Sequence, residues 1–165
     1  NAWQFSWFVP HDIPGLIGLM GMEEFNTRLD AGFEDSRPQF VSQFVNHSNQ
    51  PNMQAAWLFN YSGKPWLTQK WVREILKNYY GTGPVDGYPG DEDQGQMGAW
   101  YVMSAMGLFE MDGGASLNPV YEIGSPLFEK VTIQLDQNYY EGEEFIIEAK
   151  NSSTANKYIQ SATLN

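Results

Sequence analysis

Three consecutive acids, Asp91, Glu92 and Asp93, are the residues in this chain whose type and spacing best fit chemistry. They lie between Gly90 and Gly95, and an apolar helical pattern begins directly behind them. Clustered carboxylates repel one another, so a fold that keeps them together needs a compensating interaction. A metal ion, a proton to be transferred, or the positive end of a helix would each supply that interaction.

Helix capping is the simplest use of this acidic turn. Asp93 is followed three positions later by Gln96, a spacing that predicts a capping box. Capping accounts for one acid and not for three, so a second interpretation stays open, in which the turn directs a carboxylate at a water molecule or a metal ion. A calcium loop of the EF-hand type is excluded because Gly95 and Val102 occupy positions that must supply ligands.

Other polar and aromatic clusters allow two interpretations each. Residues 47–51 read His-Ser-Asn-Gln-Pro before a very apolar segment, and their amide and carbonyl oxygens suit calcium, although Asn49 can equally cap a helix. Asp12, beside His11, is expected to cap a helix with Pro14 in its first turn. The rings near the start of the chain, Trp3 among them, suit either a core or a sugar-stacking surface.

Composition narrows the class of protein. The 165 residues carry a net charge of −11, which disfavours binding to nucleic acid or to anionic membranes. No cysteine is present, so disulfides and thiol chemistry are excluded, and no apolar run is long enough to span a membrane. Because the sequence opens on Asn1 without a methionine, we expect a fragment or a processed piece.

The spacing of apolar residues divides the chain into two parts. Residues 1–112 have helical spacing, and we predict helices near 13–20 and 23–30, after Pro38, after Pro51, after Pro65, and from about Gln94 to Met106. The segment after Pro51 is apolar on nearly every face, which predicts deep burial of Met53, Ala56, Trp57 and Leu58. The helix after Pro65 has one apolar face, and Gly107 is expected to end the last helix. Residues 113–165 alternate with a period of two and predict short strands around 131–135, 145–147 and 158–159. Three such strands cannot form a stable sheet alone, so they should complete a sheet from residues outside this sequence.

Several long motifs resemble the glycoside hydrolase family 92 enzymes, which are calcium-dependent, exo-acting alpha-mannosidases. They occur throughout the chain, in residues 1–5, 9–17, 49–51, 60–66, 90–101, 124–128, 130–133 and 158–165. The resemblance implies a mainly α fold with a C-terminal β segment. Residues 1–112 would form the last part of an (α/α)6 toroid, and residues 113–165 would be closing strands that join a β-sandwich.

The same resemblance implies an inverting hydrolysis of terminal mannose, in which one carboxylic acid protonates the departing oxygen and a carboxylate activates water. Asp93 would be the general base, with Asp91 as its partner or alternative. A bound Ca²⁺ would hold two hydroxyls of the mannose, and Asn49, Gln50 and Glu92 are the candidates near it. The general acid would be a Glu two positions before the residue matched by Asn1, so we expect the fragment alone to be inactive.

Substrate contacts are assigned to Trp3, His47 and Glu34, the last because its loop helps to choose the linkage in relatives. The family usually has Glu where this chain has Gln50, and two histidines where it has Met53 and Gln54. These departures favour an alternative function, a non-catalytic carbohydrate-binding homologue that keeps the fold. The resemblance also implies a bacterial protein that is secreted, periplasmic or at the cell surface, with the rest of the parent enzyme as its partner.

Overall fold

Helices followed by short strands make up the chain, as the sequence predicts. The computed structural model describes residues 1–37, 39 and 41–165. The α-helices are α1 (Ala2–Phe5), α2 (Ile13–Met20), α3 (Met22–Ser36), α4 (Gln50–Met53), α5 (Pro65–Asn78) and α6 (Gln96–Met106), with a 3-10 helix at Gln54–Asn60. The strands are β1 (Leu108–Phe109), β2 (Glu122–Ile123), β3 (Lys130–Gln134) and β4 (Glu144–Glu148). In the described part of the chain, no helix combines the length and apolar character needed to cross a bilayer.

Helices α2 and α3 begin where local chemistry favours a start. The Asp12 carboxylate accepts a hydrogen bond from the Gly15 amide at 2.9 Å, which confirms the predicted cap of α2. Gly21 separates the two helices with a φ of +80°. A glycine suits this position because that conformation is costly for any residue with a side chain. Helix α3 continues to Ser36, beyond the predicted end at residue 30. Glu34 therefore lies in its last turn and not in a loop, which corrects the sequence interpretation.

The core forms where α5 packs against the 3-10 helix. Met53, Trp57 and Leu58 are buried as predicted, and the segment from 53 to 59 is buried throughout. Flat aromatic contacts extend the core in both directions: the rings of Trp71 and Phe33 stack at 5.1 Å, and those of Trp57 and Phe109 also at 5.1 Å. Aromatic pairs of this kind contribute about 0.5–1.5 kcal/mol each beyond their area of contact.

The helix predicted after Pro38 is not present in the residues described there. Pro38 and Phe40 themselves lie outside the described residues, while 41–49 form turns and an isolated antiparallel bridge between Val41 and Asn46. The Ser42 hydroxyl accepts hydrogen bonds from the amides of residues 44 and 45, both at 3.1 Å. A side chain that bonds its own backbone in this way competes with helix formation, which the apolar spacing alone did not reveal.

The C-terminal segment contains two antiparallel pairs. Strand β1 pairs with β2, in register Leu108 with Ile123, across the predicted boundary between residues 112 and 113. Strand β3 pairs with β4, and the half-buried Val131 faces Ile147. The strand predicted at 158–159 does not form; the Ile159 amide instead donates to a side chain of α5, the Gln69 amide oxygen, at 2.9 Å.

Helix α6 is anchored at its C-terminal end. Gly107 ends it with a φ of +82°, as the sequence predicts for a C-cap glycine, and its carbonyl accepts from the Gly124 amide at 2.8 Å. A Cβ at Gly124 would lie 2.5 Å from the Trp57 ring, so only glycine permits this approach. This contact between Gly107 and Gly124 anchors the C-terminal end of α6. The acidic residues precede the other end of the same helix.

His47 lies in the interior beside α6. Its ring is fully buried, shares a hydrogen bond of 3.0 Å with the Tyr80 hydroxyl, and meets the Trp100 ring edge-on at 4.3 Å. Burial disfavours the charged imidazolium and lowers the pKa of His47 from its ordinary value of 6.5 to about 3. The folded chain therefore holds this histidine neutral.

This burial makes stability depend on pH. Below pH 6.5 the unfolded chain binds a proton at His47 that the folded chain rejects, so stability falls as pH decreases toward about 3. The slope from this group approaches about 1.4 kcal/mol per pH unit. His47→Gln should remove that component of the acid limb when urea unfolding is measured between neutral and acid pH. The exposed His11→Gln is the matched control, and an unchanged slope in His47→Gln would contradict the prediction.

Candidate active site

The acidic turn has an unusual backbone. Glu92, Asp93 and Gln94 have φ values of 68°, 56° and 63°, and Gly95 follows with 94°. We call residues 90–95 the acidic bend. Left-handed conformations cost roughly 1–2 kcal/mol per residue for residues with a Cβ. Three in succession persist only where surrounding contacts enforce them, and such strain concentrates at functional sites.

Glu92 supplies the cap of α6, and the predicted capping box of Asp93 and Gln96 is wrong. The Glu92 carboxylate accepts hydrogen bonds from the Gly95 amide and, at 3.3 Å, from the Gly98 amide. The left-handed bend delays the helix to Gln96 and turns the Glu92 side chain back onto the free amides of its first turn. Both oxygens of Glu92 are therefore engaged, and the helix dipole favours their charge.

Asp93 keeps a carboxylate oxygen free. Its main-chain carbonyl accepts from the Gln96 amide and from the Gln50 side chain, both at 3.3 Å. Its Oδ2 atom is buried, and no group in the described part of the chain donates to it. A buried oxygen without a partner costs about 1–3 kcal/mol, so this atom is suited to a water molecule or a ligand. Asp91 beside it is exposed.

The segment of residues 46–50, which we call the amide loop, lies against the acidic bend. Gln50 reaches the Asp93 carbonyl, and a Cβ placed on Gly90 would lie 2.6 Å from the Ser48 carbonyl oxygen. Within the loop the Asn46 side chain accepts hydrogen bonds from both the amide and the hydroxyl of Ser48. Gln50 is thus brought beside Asp93, although 43 positions separate the two in sequence.

The three residues assigned to substrate contacts occupy different places. His47 belongs to the amide loop, but its side chain lies in the interior and has no exposed surface. Glu34 pairs with Lys70 at 2.8 Å and with Arg37 at 3.0 Å. Trp3 is 45% exposed and lines a groove of about 660 Å³ with residues of α2 and α3. The described residues therefore do not bring Trp3 and Glu34 into contact with the acidic bend.

A second cavity of about 180 Å³ also lies away from the bend. His11, Tyr61 and Asp112 are among its lining residues. The pKa of the Tyr61 hydroxyl is raised above its usual range, mainly because burial disfavours the charged phenolate. A hydrogen bond with Glu122 raises this pKa further. The cavity joins residues distant in sequence, and no motif in the chain indicated it.

Sequence reasoning also missed the residues that shape the amide loop. Asn46 and Asn52 hold the backbone of this loop through side-chain hydrogen bonds. Another residue near the bend that sequence reasoning missed is the exposed Tyr88, which lies beside Gly98 and Tyr80. The repetition of Asn at 46, 49 and 52 was the available signal, because asparagine side chains commonly organise loop backbones.

Calcium is the metal that the sequence implied, and the donors fit it in part. Asn49 is exposed and occupies the N-cap position of α4, but its side chain makes no capping hydrogen bond, and no described residue donates to the Gln50 amide oxygen. Such oxygens are suitable calcium ligands. Glu92 fits less well, because each of its oxygens already accepts one hydrogen bond from a backbone amide. Among the described residues, no three His, Cys, Asp or Glu side chains are grouped for a metal, so the remaining ligands would be carbonyls, water or substrate hydroxyls.

Comparisons with known proteins identify the family of the chain. A model of the glycosyl hydrolase family 92 catalytic domain matches residues 1–165. A protein of the fungus Arthroderma benhamiae, named an uncharacterized secreted glycosidase, is 34% identical over 168 residues, which are 100% of this chain and 20% of that protein.

Two solved structures from Bacteroides thetaiotaomicron resemble the fold. A family GH92 alpha-mannosidase matches with a TM-score of 0.75 and 34% identity, over 92% of this chain and 19% of its own. A family GH92 inverting mannosidase matches with a TM-score of 0.76 and 37% identity, over 93% of this chain and 22% of its own. The chain spans about a fifth of the length of these relatives. Because the family model matches its whole length, the chain belongs to glycosyl hydrolase family 92.

Proposed function

We propose that this chain forms part of a calcium-dependent, inverting exo-alpha-mannosidase, with Asp93 as the general base. The observation that carries the proposal is the buried, unpartnered Oδ2 atom of Asp93 in a left-handed bend. The names of the two solved relatives, an alpha-mannosidase and an inverting mannosidase, support the substrate and the stereochemistry.

The proposed reaction uses two carboxyl groups on opposite sides of the sugar. Asp93 removes a proton from a water molecule as that water forms a bond to the anomeric carbon. The bond from the anomeric carbon to the departing oxygen breaks, and a carboxylic acid outside this sequence donates a proton to that oxygen. Asp91, exposed next to Asp93, contributes negative charge near the sugar, which becomes positively charged in the transition state.

Calcium would be held by the exposed Asn49 and by Gln50, whose side chain contacts the main chain of Asp93. When bound, the ion supplies a hard positive charge that binds two adjacent sugar hydroxyls and orients the ring. Glu92 contributes indirectly, since its carboxylate caps α6 and holds the acidic bend in place.

The substrate in this proposal is a terminal mannose on a glycan. Trp3 is half-exposed, so its ring can stack on a sugar. His47 would anchor the amide loop, to which it belongs, through its buried contacts with Tyr80 and Trp100, and Glu34 would act on a more distant part of the glycan. The rest of the parent chain would supply the other walls and the remaining β-sandwich strands. Secretion is proposed from the name of the fungal relative.

A non-catalytic carbohydrate-binding protein is the second candidate. The observation that favours it is Gln50, a neutral residue where the family usually has Glu. The other two departures weigh less, because Met53 is fully buried and the Gln54 side chain donates to the Pro51 carbonyl at 2.8 Å. Both side chains serve the interior of the protein.

Asp93→Asn tests the catalytic proposal in the full-length chain. Loss of a general base should lower kcat on an aryl alpha-mannoside by roughly 10²–10⁴-fold, and NMR of the unmodified enzyme should show the inverted anomer as first product. Asp136→Asn, in an exposed turn, is the matched control. Hydrolysis that survives Asp93→Asn would contradict the assignment, and glycan binding without hydrolysis in the unmodified protein would favour the second candidate.

Removal of calcium should abolish activity, and Gln50→Glu should lower the calcium concentration needed for half-maximal rate. An added carboxylate raises the ligand charge, and we expect an effect of roughly tenfold. Gln43→Glu makes the same charge change at an exposed position of the preceding turn and should leave the calcium dependence as it is. Equal responses of the two variants would refute the metal assignment.

The isolated segment of residues 1–165 should hydrolyse an aryl alpha-mannoside at least about 10²-fold more slowly than the full-length chain, because the general acid lies outside it. Circular dichroism of the isolated segment would establish that it is folded. Comparable turnover by the two proteins would show that the acid lies within these residues.

A further inference from the structure

Asn52, in the first turn of α4, is a buried polar residue that the proposed reaction does not use. Its side chain is 1% exposed. The Oδ1 atom accepts from the Asn46 amide at 2.9 Å, and Nδ2 donates to the Gln4 carbonyl at 2.8 Å and to the Pro51 carbonyl at 3.0 Å. The Asn52 side chain therefore uses both of its donor hydrogens and one of the two lone pairs of its oxygen.

These three bonds join separate parts of the molecule. Gln4 belongs to α1, Asn46 begins the amide loop, and Pro51 follows that loop in α4. Because Asn46 also binds Ser48 through its side chain, the position of Asn52 determines where the whole loop lies. One buried amide thus sets the loop relative to α1, the helix that carries Trp3.

The amide loop in turn bounds the acidic bend. The Gln50 side chain donates to the Asp93 carbonyl at 3.3 Å, and the Ser48 carbonyl approaches Gly90 too closely for a Cβ to fit. A shift of this loop would lengthen the first contact, which is already 3.3 Å long, or press the Ser48 carbonyl against Gly90. The conformation of the bend, which is left-handed and costly, therefore depends on the place of the loop.

We propose that Asn52 is a positioning residue, which holds Asn49 and Gln50 at a fixed distance from Asp93 without touching the substrate. The inference rests on the proposed function and adds a residue to it. Groups that orient a site through others typically change activity or metal affinity by roughly 10–100-fold when they are altered.

Asn26 provides a matched comparison elsewhere in the fold. It is also 1% exposed, its Nδ2 donates to the carbonyls of Met22 at 2.8 Å and Ser62 at 3.1 Å, and its Oδ1 accepts from the Ser62 hydroxyl at 2.6 Å. It joins α3 to the turn before α5 and has no contact with the amide loop. Substitution of either asparagine by Asp keeps the acceptor oxygen and replaces the donor that binds two carbonyls.

The experiment compares Asn52→Asp with Asn26→Asp in the full-length chain. Both should lose thermal stability, but only Asn52→Asp should lower kcat/KM, by roughly 10–100-fold, at a temperature where both are folded. Hydrogen exchange should become faster in residues 90–98 of Asn52→Asp and remain unchanged there in Asn26→Asp. If Asn52→Asp does not fold, Asn52→Ser and Asn26→Ser make the same comparison with a smaller change.

The outcomes separate the two claims. Equal activity of the paired variants, or an unchanged exchange rate in residues 90–98, would overturn the role of Asn52 and leave the mannosidase proposal standing. An unmodified full-length chain without mannosidase activity would overturn the proposed function and, with it, this inference.

Discussion

The structure of the candidate site depends on a short stretch of left-handed backbone, a conformation that L-amino acids with a side chain rarely adopt. Three residues with side chains, Glu92 to Gln94, hold a left-handed conformation before Gly95. Each costs roughly 1–2 kcal/mol, so contacts around the bend must hold it. The Glu92 carboxylate folds back onto the amides at the start of α6, and the Gln50 side chain donates to the Asp93 carbonyl. These contacts separate the roles of two adjacent acids, since Glu92 is consumed in capping and Asp93 retains a free oxygen.

The rest of the fold keeps the partners of this bend in place. Helix α6 is fixed at its far end, where Gly107 and Gly124 allow the β segment to approach the Trp57 ring. The amide loop is fixed by Asn46 and Asn52, and its own His47 side chain packs, neutral and buried, against the Trp100 ring of α6. A few buried polar side chains within an otherwise apolar interior therefore define where the loop lies.

Residue patterns predicted the helical elements well where the signals were local. The caps at Asp12 and Gly107, the apolar face of α5, and the burial of Met53 to Leu58 are confirmed. The patterns were wrong after Pro38, where the Ser42 hydroxyl binds the backbone and replaces a helix with a turn. They were wrong again at 158–159, where α5 takes the hydrogen bond that a strand would have used. Both errors arise from polar partners that the spacing of apolar residues does not contain.

The sequence by itself determined the family, the change from helices to strands along the chain, and the acidic residues of the candidate site. Those features depend on residue identity and short spacing, which the chain displays directly. Tertiary structure alone decided that Glu92 caps α6 while Asp93 keeps an unpartnered carboxylate oxygen. The same residues could form a capping box or a left-handed bend, and the two differ only in the path of the backbone. Tertiary structure also decided that Gln50 stands beside Asp93, that His47 lies inside, and that Glu34 belongs to a helix. Contacts between residues more than forty positions apart arise from packing, and no local pattern carries that information.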